Sequence, residues 1–169
     1  MIIPGKNRVN TRAKENRLDT LRQQIIDLLS TQSLGVLATS AKGHPYTSLV
    51  GFVVTDQLDE LLFATHRATR KFGYLQADPR VSLLIDSRSN QVEDFREAVA
   101  LSAIGTAREV PPEQRDRLRQ LFLAHHPYLA EFVHSPGCAL CLIKVQRYSL
   151  VQRFQDVLEL DFDAPHSTP

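Results

Sequence analysis

A basic turn in the middle of the chain has the residue types that bind phosphate. The stretch ATHRATRKFGYL, residues 64–75, contains Arg67, Arg70 and Lys71 among threonines and a histidine, and no acid. Guanidinium, ammonium, hydroxyl and backbone N–H groups are the donors that proteins direct at phosphate oxygens. The composition of this stretch therefore favours an anion site. The alternative is a solvated basic turn paired with aspartates of the flanking segments DQLDE and QADPR.

The expected position of a helix sharpens this interpretation. A short helix should follow the strand-like ELLFA (60–64), with Thr69 as its N-cap. Arg70 and Lys71 then lie in the first turn, where each cation opposes the helix macrodipole at a cost of about 0.3–1 kcal/mol. Stability alone would favour acids there. A bound anion at the helix start, also held by the hydroxyls of Thr65 and Thr69, removes the conflict.

The bulk composition limits the kinds of partner. The chain has 169 residues, with 20 Lys plus Arg against 19 Asp plus Glu. Nucleic-acid-binding proteins usually carry a basic excess, and no apolar run approaches the ~20 residues of a membrane span. The opening MIIPGKNRVN has too short an apolar part for a signal peptide. We therefore predict a soluble cytoplasmic protein without a nucleic-acid or membrane partner.

The apolar spacing predicts a mainly β fold. Steps of three and four residues predict an amphipathic helix over 16–30. Alternating or β-rich segments then predict six short strands, which favour an antiparallel barrel over a βαβ sheet. The segments are LGVLATS (34–40), PYTSLVGFVVT (45–55), ELLFA (60–64), VSLLID (81–86), EAVALSAIGTAREV (97–110) and GCALCLIKVQRYSLV (137–151).

Local signals mark bends and ends. Gly105 should be a bend or bulge within its long strand. We predict an N-terminal arm over 1–15, either mobile or a helical extension, then one domain over 16–160. A disordered tail is expected over 161–169.

The cysteines and the paired histidines have structural interpretations. Cys138 and Cys141 have C-x-x-C spacing, but no second pair exists, and on a strand the two side chains point to opposite faces. We therefore predict two small buried side chains and no metal site. His125 and His126 stand at a helix end, where cationic imidazole complements the dipole. Metal ligation is the alternative role of the histidines.

Residues 34–110 resemble the flavin-binding split barrel of the pyridoxamine 5′-phosphate oxidase superfamily. HPYTSLVGF is similar to the strand along the flavin, and ALSAIGTAREV to the long strand with an embedded glycine. LLFATHRATRKFGYLQADPRVSLLI is similar to the strand, phosphate-binding turn, helix and next strand. The resemblance implies a mainly β (α+β) fold, a six-stranded antiparallel Greek-key split barrel with flanking helices. It also implies a homodimer with FMN at the interface, for which the apolar faces of 45–55 and 138–151 are candidate contacts.

The resemblance implies a set of FMN-binding residues but no catalytic side chain. Arg70 and Lys71 would hold the phosphate, helped by hydroxyls of the turn, and residues 47–50 would follow the ribityl chain and the isoalloxazine ring. Asn90 would reach the ring edge or the ribityl chain, its alternative being a turn residue between strands. The full set is Thr47, Ser48, Leu49, Val50, Ala64, Thr65, Thr69, Arg70, Lys71 and Asn90.

The chain departs from the true oxidases in two places. Ser48 stands where the oxidases tend to carry arginine. The C-terminal VQRFQDVLELDFDAPHSTP lacks both tryptophan and the Arg-x-His motif that closes over their substrate. These departures argue against pyridoxamine phosphate and leave the small-molecule substrate and the electron donor unknown. The leading hypothesis is an FMN-dependent oxidoreductase. Alternatives are a non-enzymatic or haem-binding or haem-degrading split barrel, or a deazaflavin user.

Overall fold

The computed structural model describes residues 6–153 and 156–162, with side chains from residue 14 onward. The elements in chain order are α1 (Lys6–Thr31), β1 (Leu34–Ala41), β2 (His44–Val54), β3 (Glu60–His66), α2 (Arg70–Ala77), β4 (Arg80–Asp86), α3 (Asp94–Glu97), β5 (Val99–Glu109), α4 (Pro112–His125), α5 (Ala130–His134), β6 (Cys138–Gln152) and β7 (Asp156–Asp161). A 3-10 turn at Pro127–Leu129 separates α4 from α5.

Six antiparallel strands close into a barrel. The hydrogen-bonded order is β3-β2-β1-β4-β5-β6, and the first half of β6 pairs back onto β3. The second half of β6 pairs with β7 instead, so β7 is an addition beside the closed barrel. The antiparallel barrel with flanking helices expected from the sequence is confirmed.

Strand alternation supplies the barrel interior. In β4, for example, Val81, Leu83 and Ile85 are buried and their neighbours are only half-buried. Helices α1 and α2 add apolar side chains to the same core, including Ile25 and Leu75. Because successive residues of a strand point to opposite faces, each strand also presents a row of side chains outward.

One outward face is buried under helices, and we call it the covered wall. It consists of outward side chains of β2, β3 and β6 packed against α4 and α5 in a second apolar cluster. Phe122 and Leu118 of α4 are 1% and 0% exposed in this cluster. The cluster members are Val53, Leu62, Val110, Leu118, Phe122, Val133, Leu140 and Leu142.

The opposite outward face is apolar and exposed, and we call it the bare wall. Its side chains come from β1, β2, β4 and β5, and strand register sets Leu49, Val36 and Leu84 side by side in one row. Leu49 is 62% exposed, and Leu34 and Ile104 are also exposed. The bare wall consists of Leu34, Val36, Ala38, Thr47, Leu49, Leu84 and Ile104.

Three features differ from, or refine, the sequence expectations. Helix α1 begins at Lys6 rather than near residue 16, so the described part of the predicted arm is helical. Strand β7 was not predicted, and it includes the first residue of the predicted tail. Residues 1–5 and 163–169 lie outside the described residues. Gly105 does sit at a β-bulge, where any Cβ would collide with the Lys144 carbonyl.

Within the described ranges, no helix has the length and apolar character needed to cross a membrane. Helix α1, the longest at 26 residues, has a polar average composition.

Candidate anion-binding site

Strands β2 and β3 separate along part of their length and leave an open edge. They pair only between residues 52–54 and 61–63. On its other edge β3 pairs with β6 over residues 60–66, and on its other edge β2 pairs with β1 over residues 44–51. The β2 edge that faces β3 therefore lacks a strand partner over residues 44–51 among the described residues. Backbone N–H and C=O groups on that edge are free to bind a ligand.

The turn after β3 positions the start of α2. Thr69 is the N-cap, as predicted, and its hydroxyl accepts from the Phe72 N–H at 3.4 Å. The same hydroxyl donates to the His66 carbonyl at 2.8 Å and lies 3.0 Å from the hydroxyl of buried Thr65. Four chain groups thus meet at Thr69 and fix the direction in which α2 leaves the turn.

Proton counting assigns the two threonines a role within the turn. A hydroxyl has one proton to donate and two lone pairs. If Thr69 donates to His66, then Thr65 must donate to Thr69, whose lone pairs are filled by Thr65 and Phe72. In this arrangement neither threonine has a proton left for a ligand. Their direct assistance in phosphate binding stays a prediction; within the chain their hydroxyls shape the turn.

Arg67 is held by the protein itself. Its guanidinium pairs with Glu109 and donates to the carbonyls of Pro136 and Cys138 at 3.1 and 2.9 Å. Hydrogen bonding to Glu109 raises the pKa of Arg67 further above its ordinary value. The aspartate partners considered from the sequence, Asp56, Asp59 and Asp78, are not the ones used.

Arg70 and Lys71 are in a different situation. Arg70 is exposed, with its guanidinium carbon 5.3 Å from the centre of the Tyr46 ring. Among the described residues neither cation forms an ion pair, and their backbone N–H groups at the start of α2 have no acceptor. Two cations and two N–H groups thus remain available at a positive helix end. Tyr46 was not among the site residues predicted from the sequence, although it adjoins the predicted residues 47–50.

The four residues 47–50 divide between the two faces of β2. Thr47 and Leu49 point outward and are exposed, whereas Val50 is buried in the barrel core. Ser48 also points inward, and its hydroxyl oxygen is buried without a hydrogen-bond partner in the described structure. An unsatisfied buried hydroxyl costs roughly 1–3 kcal/mol unless something binds it. The Ser48 hydroxyl therefore remains able to bond to a ligand at this strand.

The remaining two predicted residues are less closely tied to this site. Ala64 points outward from β3 and packs against the cluster of the covered wall, on the face opposite to Thr65. Asn90 is exposed in the β4–β5 connection with φ of 62°, a left-handed conformation that asparagine tolerates. Asp94 organises that loop by accepting from the N–H groups of Ser89 and Gln91. Within the chain Asn90 is thus a turn residue.

The cysteines lie on opposite faces of β6, as alternation predicts. Cys141 is buried in the barrel core, and burial raises the pKa of its thiol to about 12. Burial also raises the pKa of half-buried Cys138. Both are free thiols, and the described residues contain no cluster of three or more metal-ligating side chains.

The paired histidines have separate roles. His125 contacts the Leu121 carbonyl at 3.1 Å in the last turn of α4, consistent with the expected capping role. His126 is 1% exposed, and its Nε2 lies 2.8 Å from the carbonyl of Phe52 on β2. His126 is also the C-cap residue of α4, and its tertiary contact in addition fastens α4 to the strand that carries the open edge.

Two grooves of the described structure lie away from this site. One of about 840 Å³ runs between α1 and β7, and a second of about 280 Å³ lies between α1 and the start of β5. Neither includes the turn or the open edge of β2.

A family model described as pyridoxamine 5′-phosphate oxidase matches residues 21–152. The chain belongs to this family. The match spans every strand of the closed barrel and both sides of the candidate site. Among curated proteins, none matches the chain.

Solved structures show that this family member shares its fold with proteins of varied ligands. A haem-binding protein from Mycobacterium smegmatis has 17% identity and a TM-score of 0.71, covering 79% of this chain and 55% of its own. An FAD-binding protein from Mesorhizobium loti has 18% identity and a TM-score of 0.63, with 76% and 90% coverage. General stress protein 26 from Bacillus anthracis has 20% identity and a TM-score of 0.63, with 84% and 98% coverage. At such identities the likeness shows the fold alone.

The residues of this family member fit a flavin mononucleotide. A phosphate matches the unpaired cations and N–H groups of Arg70 and Lys71. A hydroxylated chain and a flat ring with polar edges match the open edge of β2 and the orphaned Ser48 hydroxyl. Tyr46 adds an aromatic wall beside Arg70.

Proposed function

We propose that the chain binds FMN and acts, as a homodimer, as an FMN-dependent oxidoreductase on a small molecule other than pyridoxamine phosphate. The observation that carries the proposal is the pair Arg70 and Lys71, unpaired at the start of α2 beside an open strand edge. Placing two cations at a helix start without an acid partner costs stability. An anionic ligand at that position offsets the cost.

Each part of the site has a distinct task in this proposal. Arg70 and Lys71, with their N–H groups, hold the phosphate through charge-assisted hydrogen bonds. Thr65 and Thr69 keep the turn in the conformation that presents those groups. Backbone groups of residues 47–50 and the Ser48 hydroxyl orient the rest of the cofactor.

The chemistry of the proposed reaction comes from the cofactor. FMN, when bound, supplies hydride or electron transfer, and the protein supplies binding, orientation and electrostatics. No side chain of the site is assigned as an acid or base. This accords with a reaction whose reacting atoms belong to cofactor and substrate.

The bare wall supports a dimer with the cofactor at its interface. A partly exposed, largely apolar surface on four strands is the kind of surface that a second copy buries. Leu49 belongs to this wall and also to the open edge of β2. The β6 face named as a second candidate is partly used already, since Leu140 and Leu142 are buried under the chain's own helices.

The departures from the oxidases support a different substrate. Ser48 supplies a small hydroxyl where the oxidases tend to carry arginine, so a cationic contact is missing from the site. We also place the protein in the cytoplasm, where the free thiols Cys138 and Cys141 remain reduced.

The decisive experiment is an absorbance spectrum of the purified protein, followed by FMN titration with flavin fluorescence as the readout. We expect flavin bands and FMN binding. Replacing Arg70 and Lys71 together with alanine should weaken binding on the order of 100-fold, since two charge-assisted contacts are lost. The matched control replaces Arg17 and Arg117, two exposed helical cations outside the site, and should leave the affinity unchanged.

Unchanged FMN affinity in the Arg70→Ala, Lys71→Ala variant, with the fold intact, would contradict the proposal. A wild-type protein that takes up no FMN but develops a Soret band with haem would establish the haem-binding alternative instead.

A further inference from the structure

The turn that precedes α2 is attached to a distant part of the chain through Arg67. The Arg67 N–H donates to the Gly137 carbonyl at 2.9 Å, in addition to its side-chain bonds to the carbonyls of Pro136 and Cys138. Glu109, at the end of β5, receives the other arm of the guanidinium. One residue therefore joins the turn to the segment leading into β6 and to the end of β5.

The charge of Arg67 is neutralised within the protein. Its side chain is 37% exposed and ion-paired with Glu109, which also lies 3.7 Å from Arg115. Arg70, three residues later, has no acid partner among the described residues. Arg67 is therefore paired within the chain, whereas Arg70 and Lys71 remain available to an anion.

The same turn is held from a second direction. The His66 imidazole lies against Gly137, where any Cβ would collide with the ring. Its Nδ1 accepts from the Ala68 N–H at 3.1 Å. Both Arg67 and His66 therefore contact residues 136–138, and the turn packs against that segment.

We propose that Arg67 is a positioning residue for the anion site. It fastens the turn 66–69 to residues 136–138 and to Glu109, so that the N–H groups and side chains of Arg70 and Lys71 are held ready for the anion before it arrives. Arg67 itself does not touch the anion and adds no net attraction. The identity of the anion as the FMN phosphate rests on the proposed function. Fixing a binding site in advance raises affinity because less ordering accompanies binding.

The test compares Arg67→Met with Arg70→Met by FMN titration at low and high salt. We expect Arg67→Met to bind FMN about tenfold more weakly than wild type, as lost pre-organisation predicts. With Glu109→Gln added, its salt dependence should match that of wild type, because the double variant removes both charges of the pair and leaves the net charge of the site unchanged. Arg70→Met should weaken both the affinity and its salt dependence. Arg67→Lys should not rescue binding, since one ammonium cannot reproduce the planar fork that bonds Glu109 and two carbonyls.

Amide hydrogen exchange supplies a readout that does not depend on FMN. Arg67→Met should accelerate exchange of the hydrogen-bonded N–H groups of residues 67–69 and leave the rest of the barrel unchanged. Unchanged exchange there would overturn the positioning role whether or not FMN binds. An Arg67→Met variant whose affinity equals that of wild type would also overturn it, as would an Arg67→Met, Glu109→Gln variant whose salt dependence falls like that of Arg70→Met. Failure of the wild type to bind FMN would instead refute the proposed function.

A double-mutant cycle with Glu109→Gln protects the test if Arg67→Met folds poorly. Arg67 and Glu109 act through one contact, so we expect the double variant to bind FMN no more weakly than Arg67→Met alone. Fully additive losses would show that the residues act separately and would overturn the inference.

Discussion

The covered and bare walls of the barrel are built from similar side chains but have different surroundings. Both present leucine, valine or isoleucine outward from neighbouring strands. On the covered wall, Leu140 and Leu142 lie beneath α4 and α5. On the bare wall, Leu49 and Leu34 remain 62% and 53% exposed. The difference is supplied entirely by the chain segment after β5, which folds over one wall and not the other.

This contrast separates two uses of apolar surface. The covered wall contributes to folding of the single chain, because its burial is complete within that chain. Burial of the bare wall stabilises the protein only if another molecule covers it. This wall borders the strand edge where we place the cofactor. Substitutions of similar size should therefore affect stability on one wall and association on the other.

The largest effect is expected for Phe122→Ala on the covered wall. Phe122 is 1% exposed and packs against His126 with ring centres 4.7 Å apart. Its loss should reduce the free energy of unfolding by about 3–5 kcal/mol, through lost burial and the cavity left behind. Urea denaturation followed by circular dichroism measures this change.

The matched substitution on the bare wall is Ile104→Ala. Ile104 is 40% exposed, so its truncation in the monomer should cost less than about 1 kcal/mol. Equal losses for the two variants at concentrations where the chain is monomeric would remove the distinction between the walls.

The next effect concerns association. Leu49→Asp places a carboxylate in the apolar row of the bare wall, twice in a symmetric dimer. We expect the dimer dissociation constant to rise on the order of 100-fold, because two unpaired charges would be desolvated. Sedimentation equilibrium measures the constant.

Val157→Asp is the control for this test. Val157 is 56% exposed on β7, outside the bare wall, so its substitution should leave association unchanged. A dimer that tolerates Leu49→Asp but dissociates with Val157→Asp would place the interface beside β7 rather than on the bare wall.

The sequence predicted those features that depend on neighbouring residues. Thr69 as N-cap, the cations after it and the bulge at Gly105 all follow from residue type and local spacing. The six barrel strands follow from apolar alternation. Strand β7 carried the same alternation in Leu158 and Leu160, but it was not among the predicted strands.

Distant contacts account for what the sequence did not predict. Glu109 lies 42 residues from Arg67 in the chain, and nothing local distinguishes that arginine from Arg70. Phe52 lies 74 residues from His126, which helix-end rules describe only as a capping residue. The same limit applies to the walls, because apolar alternation shows that a face is apolar without showing which helix covers it.

The smallest effect distinguishes the two faces of β6. Cys141 points into the barrel, where burial raises the pKa of its thiol to about 12, whereas Cys138 points outward and is half-buried. Because the thiolate is the reactive form, Cys138 should react with iodoacetamide at least about tenfold faster than Cys141 near pH 8. Peptide mass spectrometry of timed samples measures both rates, and urea-unfolded protein, in which the two should react alike, is the control. If Cys141 reacts as fast as Cys138 in the folded protein, the barrel opens on the timescale of labelling, and the fixed strand edge on which the cofactor site depends does not exist.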